Sequence, residues 1–205
     1  MTSGTIRTSS AWLVMAILAS GCATTKVTTA WRSPEAKPVA FTKVLAMVAT
    51  DDQSLRRVGE TEICKRVQPT SCTPSYAIFP QGAIPPVEEA KARVRAAGFD
   101  GAVVFRMLGE REQQTYVPPT YHYGPGWGFY GRAYPMMSSP GYVRSDTLVK
   151  VETSVYDLTA DQLVWVGTTE TLNPKDMPAL VDGVATAVAG DMREHGLLTP
   201  ADDTE

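Results

Sequence analysis

Residues 149 to 171 read VKVETSVYDLTADQLVWVGTTET, and the periodicity of this stretch decides the fold. Val149, Val151, Thr153 and Val155 alternate with Lys150, Glu152, Ser154 and Tyr156. A period of two puts one side of a strand in a core and the other toward water. Asp157 to Asp161 supply a turn, and Leu163 to Thr171 returns as the antiparallel partner. Trp165 is the expected core anchor of the hairpin. Just downstream, Met177, Leu180, Val181, Val184, Val188 and Met192 recur at helical spacing, the stripe of an amphipathic helix that packs on the sheet. Asn173, with Asp176 three residues on, is the candidate cap, and Pro174 is tolerated in the first turn.

Working toward the N-terminus, Gly101 to Leu108 (GAVVFRML) and Val44 to Ala49 (VLAMVA) are continuous apolar runs of strand length, as strands buried on both faces require. Polar residues continue the first of these to Val117, so that it can run past the sheet as one arm of a hairpin. Between the two runs, Asp51, Asp52 and Ser54 are candidate caps for a helix with Leu55, Val58, Ile63 and Val67 as its stripe and Pro69 at its close. Tyr76 to Phe79 is a short strand candidate. Pro85 and Pro86 lead into a helix bearing Val87, Ala90, Val94 and Ala97, with Gly98 just past its end. The pattern predicts an α/β fold, with α+β as the alternative: a single mixed sheet with three helices, in the order β-α-β-α-β, long loop, β-β-α.

Composition fits one such domain. Of 205 residues, 43% are apolar, and 19 Lys+Arg against 22 Asp+Glu give a net charge of −3. That balance excludes disorder of the whole chain and carries no electrostatic footprint for nucleic acid. Only one segment is apolar enough to touch a membrane. Ala11 to Leu18 (AWLVMAIL) follows Arg7, and eight residues cover about 12 Å, less than half of a ~30 Å hydrocarbon core. The segment reads as the apolar region of a secretory signal rather than as a span.

Leu18, Ala19, Ser20, Gly21 and Cys22 follow directly. This stretch resembles the lipobox of bacterial lipoprotein precursors, although Leu18 stands one position upstream of the preferred place and Ala19 occupies it. The resemblance implies cleavage between Gly21 and Cys22, and a covalent diacylglycerol and N-acyl (palmitate-type) lipid on Cys22, with no other cofactor. It also implies a place in the cell envelope. Ala23 rather than Asp after the lipidated residue points to the outer membrane, facing the periplasm, if the source is Gram-negative. The alternative is a plain secreted protein with Cys22 free. The expected organisation is a signal peptide over 1–21, lipidated Cys and a Thr-, Ala- and Pro-rich tether over 22–40 with Trp31 meeting the domain, the domain over 41–199, and a tail over 200–205. The late Tyr156-Asp157-Leu158 and Leu163-Val164-Trp165 hairpin also resembles that of small bacterial envelope lipoproteins, a likeness that transfers no site.

Residues 118 to 143 hold five Gly, five Pro, five Tyr, Trp127 and Phe129, with no acidic residue. Gly and Pro at this density oppose a regular helix or central strand, so the segment reads as a long loop. Gly126, Gly128 and Gly131 match G-x-G-x-x-G by letter, but the dinucleotide reading fails because no strand precedes them and no helix follows. Tyr121, Tyr123, Trp127, Phe129, Tyr130 and Tyr134 are the candidate binding residues, a stacking surface for sugar rings or a partner protein. The alternative is an insertion without a ligand.

Cys64 and Cys72, the remaining thiols, form an even pair in an oxidising compartment, and their spacing permits a structural disulfide. A redox-active pair would call for C-x-x-C at a helix start. His122 and His195 lack metal-ligand spacing, so no metal is expected, and His195 suits a helix C-terminus. Asp100, Asp157 and Glu170 read as turn and rim carboxylates, and no nucleophile or phosphate-loop motif identifies a catalytic residue. Two functions follow. One is a membrane-anchored, non-catalytic binding or assembly module with an envelope protein or cell-wall partner. The other is a cell-envelope hydrolase or other enzyme whose cleft is lined by the 118–143 loop.

Overall fold

The computed structural model describes residues 24–67, 70–79, 86–122 and 136–198. It is an α+β domain built on one mixed sheet. The strands are β1 (Thr24–Arg32), β2 (Lys43–Val48), β3 (Ser71–Pro74), β4 (Gly101–Val117), β7 (Tyr142–Asp157) and β8 (Gln162–Leu172), ordered β1-β8-β7-β4-β2-β3. A separate pair, β5 (Thr120–His122) and β6 (Met136–Ser139), joins β4 to β7. The helices are α1 (Gln53–Arg66), the single turn α2 (Ser75–Ile78), α3 (Val87–Ala96) and α4 (Met177–Glu194).

β2 is flanked by two parallel neighbours, β3 and β4, and both apolar runs sit at this centre. The quoted hairpin forms β7 and β8, antiparallel from Leu148↔Leu172 to Asp157↔Gln162. Val149, Val151, Val155 and Trp165 face α4, whose Leu180, Val181, Val184, Val188 and Met192 are buried against them. Each such side chain contributes roughly 1.5 to 3 kcal/mol of burial. A smaller cluster of Leu45, Phe99 and Ala102 lies apart from this core, covered by Val94 and Ala97 of the α3 segment and by Tyr156 and Leu158.

Four expectations need correction. Residues 23–40 are not a free tether, because Thr24–Arg32 is strand β1, antiparallel to β8 from Thr24↔Leu172 to Arg32↔Trp165. Its Thr and Val side chains suit a half-exposed pleat, and β-branched residues favour that setting. It lies so close to α4 that a Cβ at Gly183 would collide with the Thr25 side chain. Trp31, at its far end, is half exposed. Second, the short strand is Ser71–Pro74, while Ser75–Ile78 is a helical turn. The Tyr76 N–H donates to Glu60 and the Phe79 N–H to the Ser75 carbonyl, so neither is free for a ladder. Third, α1 is capped by Asp52 and buries Arg56, Gly59, Glu60 and Ile63, leaving Val58 exposed. Fourth, α4 is capped by Asp176 and carries Pro178, not Pro174, in its first turn. Asn173 instead adopts a positive φ of 48° and accepts from the Thr147 N–H.

The two edges of the sheet differ in kind. β3 has four residues and ends in Pro74. β1 has nine, and its register against β8 shifts between Val27 and Thr29.

Candidate functional site

β4 and β7 continue past the sheet as a two-stranded ribbon. β2 pairs with β4 only as far as Phe105, and β8 pairs with β7 only from Leu148 onward. Glu112 to Val117 and Tyr142 to Thr147 therefore pair only with each other. Six residues at ~3.4 Å each carry this ribbon about 20 Å past the sheet. Its root lies level with the start of β1, since Thr24, Leu172, Leu148 and Arg111 form one row across the sheet. Its last two cross-strand pairs are Tyr116↔Val143 and Val117↔Tyr142. Tyr116, Tyr142 and Val143 are exposed. Arg144 is turned back toward the sheet, its Nε donating to both Asp146 oxygens at 2.8 Å. That hydrogen bond, and a second from Asn173, hold the Asp146 carboxyl below the usual range.

Of the candidate aromatics, Tyr121 lies in β5, opposite Met137 of β6. Tyr123, Trp127, Phe129, Tyr130 and Tyr134 lie outside the described residues, as do Gly21 and Cys22. Residues 118–143 are not one uninterrupted loop: β5, β6 and the first residues of β7 fall inside that range. Cys64 and Cys72 are bridged, with Cα atoms 5.1 Å apart, which fastens the last turn of α1 to β3.

The carboxylates raised by the sequence all have structural partners. Asp100 accepts from the Thr42 hydroxyl and from the Thr42 and Lys43 N–H groups, tying the start of β4 to that of β2. Burial pushes its pKa up, but these hydrogen bonds outweigh burial and hold it below the ordinary aspartate value. Asp157 accepts from the Thr159 and Ala160 N–H groups in the β7–β8 turn. Glu170 bridges Lys150 and Lys26, and the Lys150 hydrogen bond leads the causes that lower its pKa. His122 lies in β5, and His195 is the C-cap of α4, its Nδ1 2.8 Å from the Asp191 carbonyl.

One polar cluster escaped the sequence reading. Glu60 and Arg56, a helical turn apart on α1, are both buried, with Arg56 Nε donating to Glu60 at 3.2 Å. Arg56 also donates to the Ser75 hydroxyl at 2.8 Å, and that hydroxyl donates to Glu60 at 2.6 Å. Glu60 further accepts from the Val48 and Tyr76 N–H groups. The i, i+4 charges gave one signal, but an exposed pair would look the same. Every group it binds is backbone or hydroxyl, Arg56 Nη1 alone of its atoms being buried without a hydrogen-bond partner among the described residues, and the cluster ties α1, β2 and α2 together.

Two apolar recesses lie beside α1 and α4. One, about 310 Å³, is lined by Val48, Leu55, Met107, Leu108 and Met177. The other, about 470 Å³, is lined by Phe41, Ile63, Val155, Val188 and Met192, with Thr153 among its walls. The buried Thr153 hydroxyl has no hydrogen-bond partner among the described residues.

No family model matches the chain, and no curated protein matches it. Among solved structures, the PelC dodecamer from Paraburkholderia phytofirmans is similar at 10% identity and a TM-score of 0.44, over 83% of this chain and 96% of that one. Lipoprotein GNA1162 from Neisseria meningitidis is similar at 10% identity and a TM-score of 0.38, over 75% of this chain and 99% of that one. Likenesses at this level transfer no function.

Proposed function

We propose that this chain is a bacterial envelope lipoprotein, acylated on Cys22, whose α+β domain serves as a non-catalytic binding or assembly module facing the periplasm. The observation that carries the reading is the sequence Ala11 to Cys22, an apolar run too short to span followed at once by Ser20-Gly21-Cys22. Three features support it. The Cys64–Cys72 bridge suits an oxidising compartment. Asp100, Asp157 and Glu170 are engaged with backbone N–H groups or lysines. The β4–β7 ribbon projects past the sheet, and the aromatic-rich sequence is the connection between its two strands. The outer membrane is the anchoring membrane in this reading, and an envelope protein or cell-wall polymer is the partner.

Two measurements test this reading. Labelled fatty acid should enter the chain and should fail to enter a Cys22→Ser variant; incorporation by the variant removes the anchor assignment. Crosslinking in cells through a photoreactive residue at Tyr121 should capture one envelope partner, and its absence moves the contact surface away from this segment.

A further inference from the structure

We infer that the tip of the β4–β7 ribbon, with Tyr116, Val117, Tyr142 and Val143, is a second membrane contact, seated at the headgroup level of the same bilayer that holds Cys22. The inference rests on the acylation of Cys22 proposed above. It follows from the correction to the tether. Because β1 begins at Thr24, only Ala23 separates its first paired residue from Cys22, and two Cα–Cα steps reach at most about 7 Å. The lipid therefore holds the end of the sheet against the membrane and leaves no slack.

That end is the one from which the ribbon projects. β1 runs antiparallel to β8 and starts at Leu172, so continuing β1 backward toward Cys22 leaves the sheet in the direction of Glu112 to Val117. The ribbon extends about 20 Å beyond the row that Cys22 passes by at most about 7 Å. Its outer half thus lies past the level of the lipidated residue, and it meets the bilayer either end-on or bent along the interface.

The side chains match this depth. The four residues of the last two pairs are uncharged, and Tyr116, Tyr142 and Val143 are exposed to solvent in the isolated domain. Tyr places an apolar ring and a polar hydroxyl where the membrane offers both, which is why aromatic residues gather at interfaces. Arg144, one pair nearer the sheet, is satisfied by Asp146 and faces away from the tip. Glu112, Gln113 and Gln114 lie nearer the root, at the level left to water. With no excess of basic residues at the tip, the expected surface is a zwitterionic one, bound through rings and methyl groups rather than by charge.

The test uses the full chain extracted from cells and reconstituted in phosphatidylethanolamine and phosphatidylcholine vesicles, with its intact mass measured first. Cys64 and Cys72 are bridged, so a cysteine introduced by Val143→Cys takes a thiol-reactive fluorophore without competition from them. Thr159→Cys, in the β7–β8 turn at the opposite end of the sheet, provides the reference. If the inference holds, lipids spin-labelled at the headgroup or upper acyl chain quench the 143 label at least threefold more than the 159 label, and the emission of the 143 label shifts to the blue. A protein whose mass includes the lipid, but whose 143 and 159 labels are equally accessible to aqueous quencher, overturns the ribbon contact and leaves the anchor standing. A mass without lipid overturns both. Tyr116→Ser combined with Tyr142→Ser should return the 143 label to water in the lipidated protein, and retention of its quenching would assign the contact to other residues.

Discussion

Trp165 donates its indole N–H to Asp191 at 2.8 Å, and the same carboxylate accepts from Arg32, so one acid on α4 holds both β8 and the end of β1. Burial raises the Asp191 pKa, but the hydrogen bonds from Arg32 and Trp165 prevail and set it below the ordinary aspartate value. Asp191→Ala should cost about 2 to 4 kcal/mol by urea denaturation, because it leaves a guanidinium and a buried indole N–H without their acceptor. A loss under about 0.5 kcal/mol would show that solvent replaces the carboxylate without penalty.

The sign of this coupling sets a pH dependence. Asp191 and Asp100 both ionise more readily folded than unfolded, so their stabilisation is complete above the unfolded aspartate value of about 3.9 and is lost as pH falls through their lower folded values. The difference in melting temperature between the parent and Asp191→Asn should therefore be largest near pH 6 and should shrink below pH 4. A difference that grows on acidification contradicts the assigned direction.

The Arg56, Glu60 and Ser75 cluster makes a sharper claim. Glu60→Ala strands a buried guanidinium and should destabilise the fold by about 3 to 5 kcal/mol, whereas Arg56→Met with Glu60→Leu should cost markedly less, since no uncompensated charge remains. If the double variant is as unstable as the single one, the pair contributes geometry that apolar side chains do not replace.

Reduction of Cys64–Cys72 should lower stability by about 2.5 kcal/mol, the chain-entropy value for so short a loop. The readout is the denaturation midpoint with and without reductant, and a non-reduced digest should contain the two half-cystine peptides joined. Two alkylatable thiols in the native protein would contradict this assignment.

Val117 and Tyr142 are cross-strand partners, so an Asn-Gly pair replacing residues 118–141 should close a two-residue hairpin on the ribbon. The melting temperature should move by only a few degrees, because Glu112 to Tyr116 are exposed and the central sheet is untouched. A collapse in stability would place part of residues 118–141 in the core. Loss of the crosslinked partner with the fold intact is the outcome expected of a binding segment.

What could be read from the sequence was whatever follows a strong period. Val149 to Val155, Trp165 and the Leu180 to Met192 stripe alternate or recur cleanly because a single core face selects them. β1 was missed because only one of its faces is partly buried, with Val27 and Ala30 against the core, and Thr24, Lys26 and Thr28 look like the polar residues of a linker. The Arg56 and Glu60 pair was missed because its burial is set by Ser75, Tyr76 and Phe79, residues distant in sequence. The ribbon was legible only as a continuation to Val117, since neither of its faces meets a core and no hydrophobic period marks its length. Of the candidate site, the sequence singled out Cys22 and the aromatics by composition, while the direction in which β1 and the ribbon leave the sheet required the register of β1.

The contrast between the two sheet edges bears on how copies of this protein can associate. β3 offers four residues ended by a Pro, and β1 is interrupted by its register shift and carries Lys26, features that discourage the templating of one chain's strand on another's. Copies brought to high local concentration are hindered from fibrous growth by the irregularity of their own borders. The same borders favour contacts made through side chains, which part without unravelling a sheet.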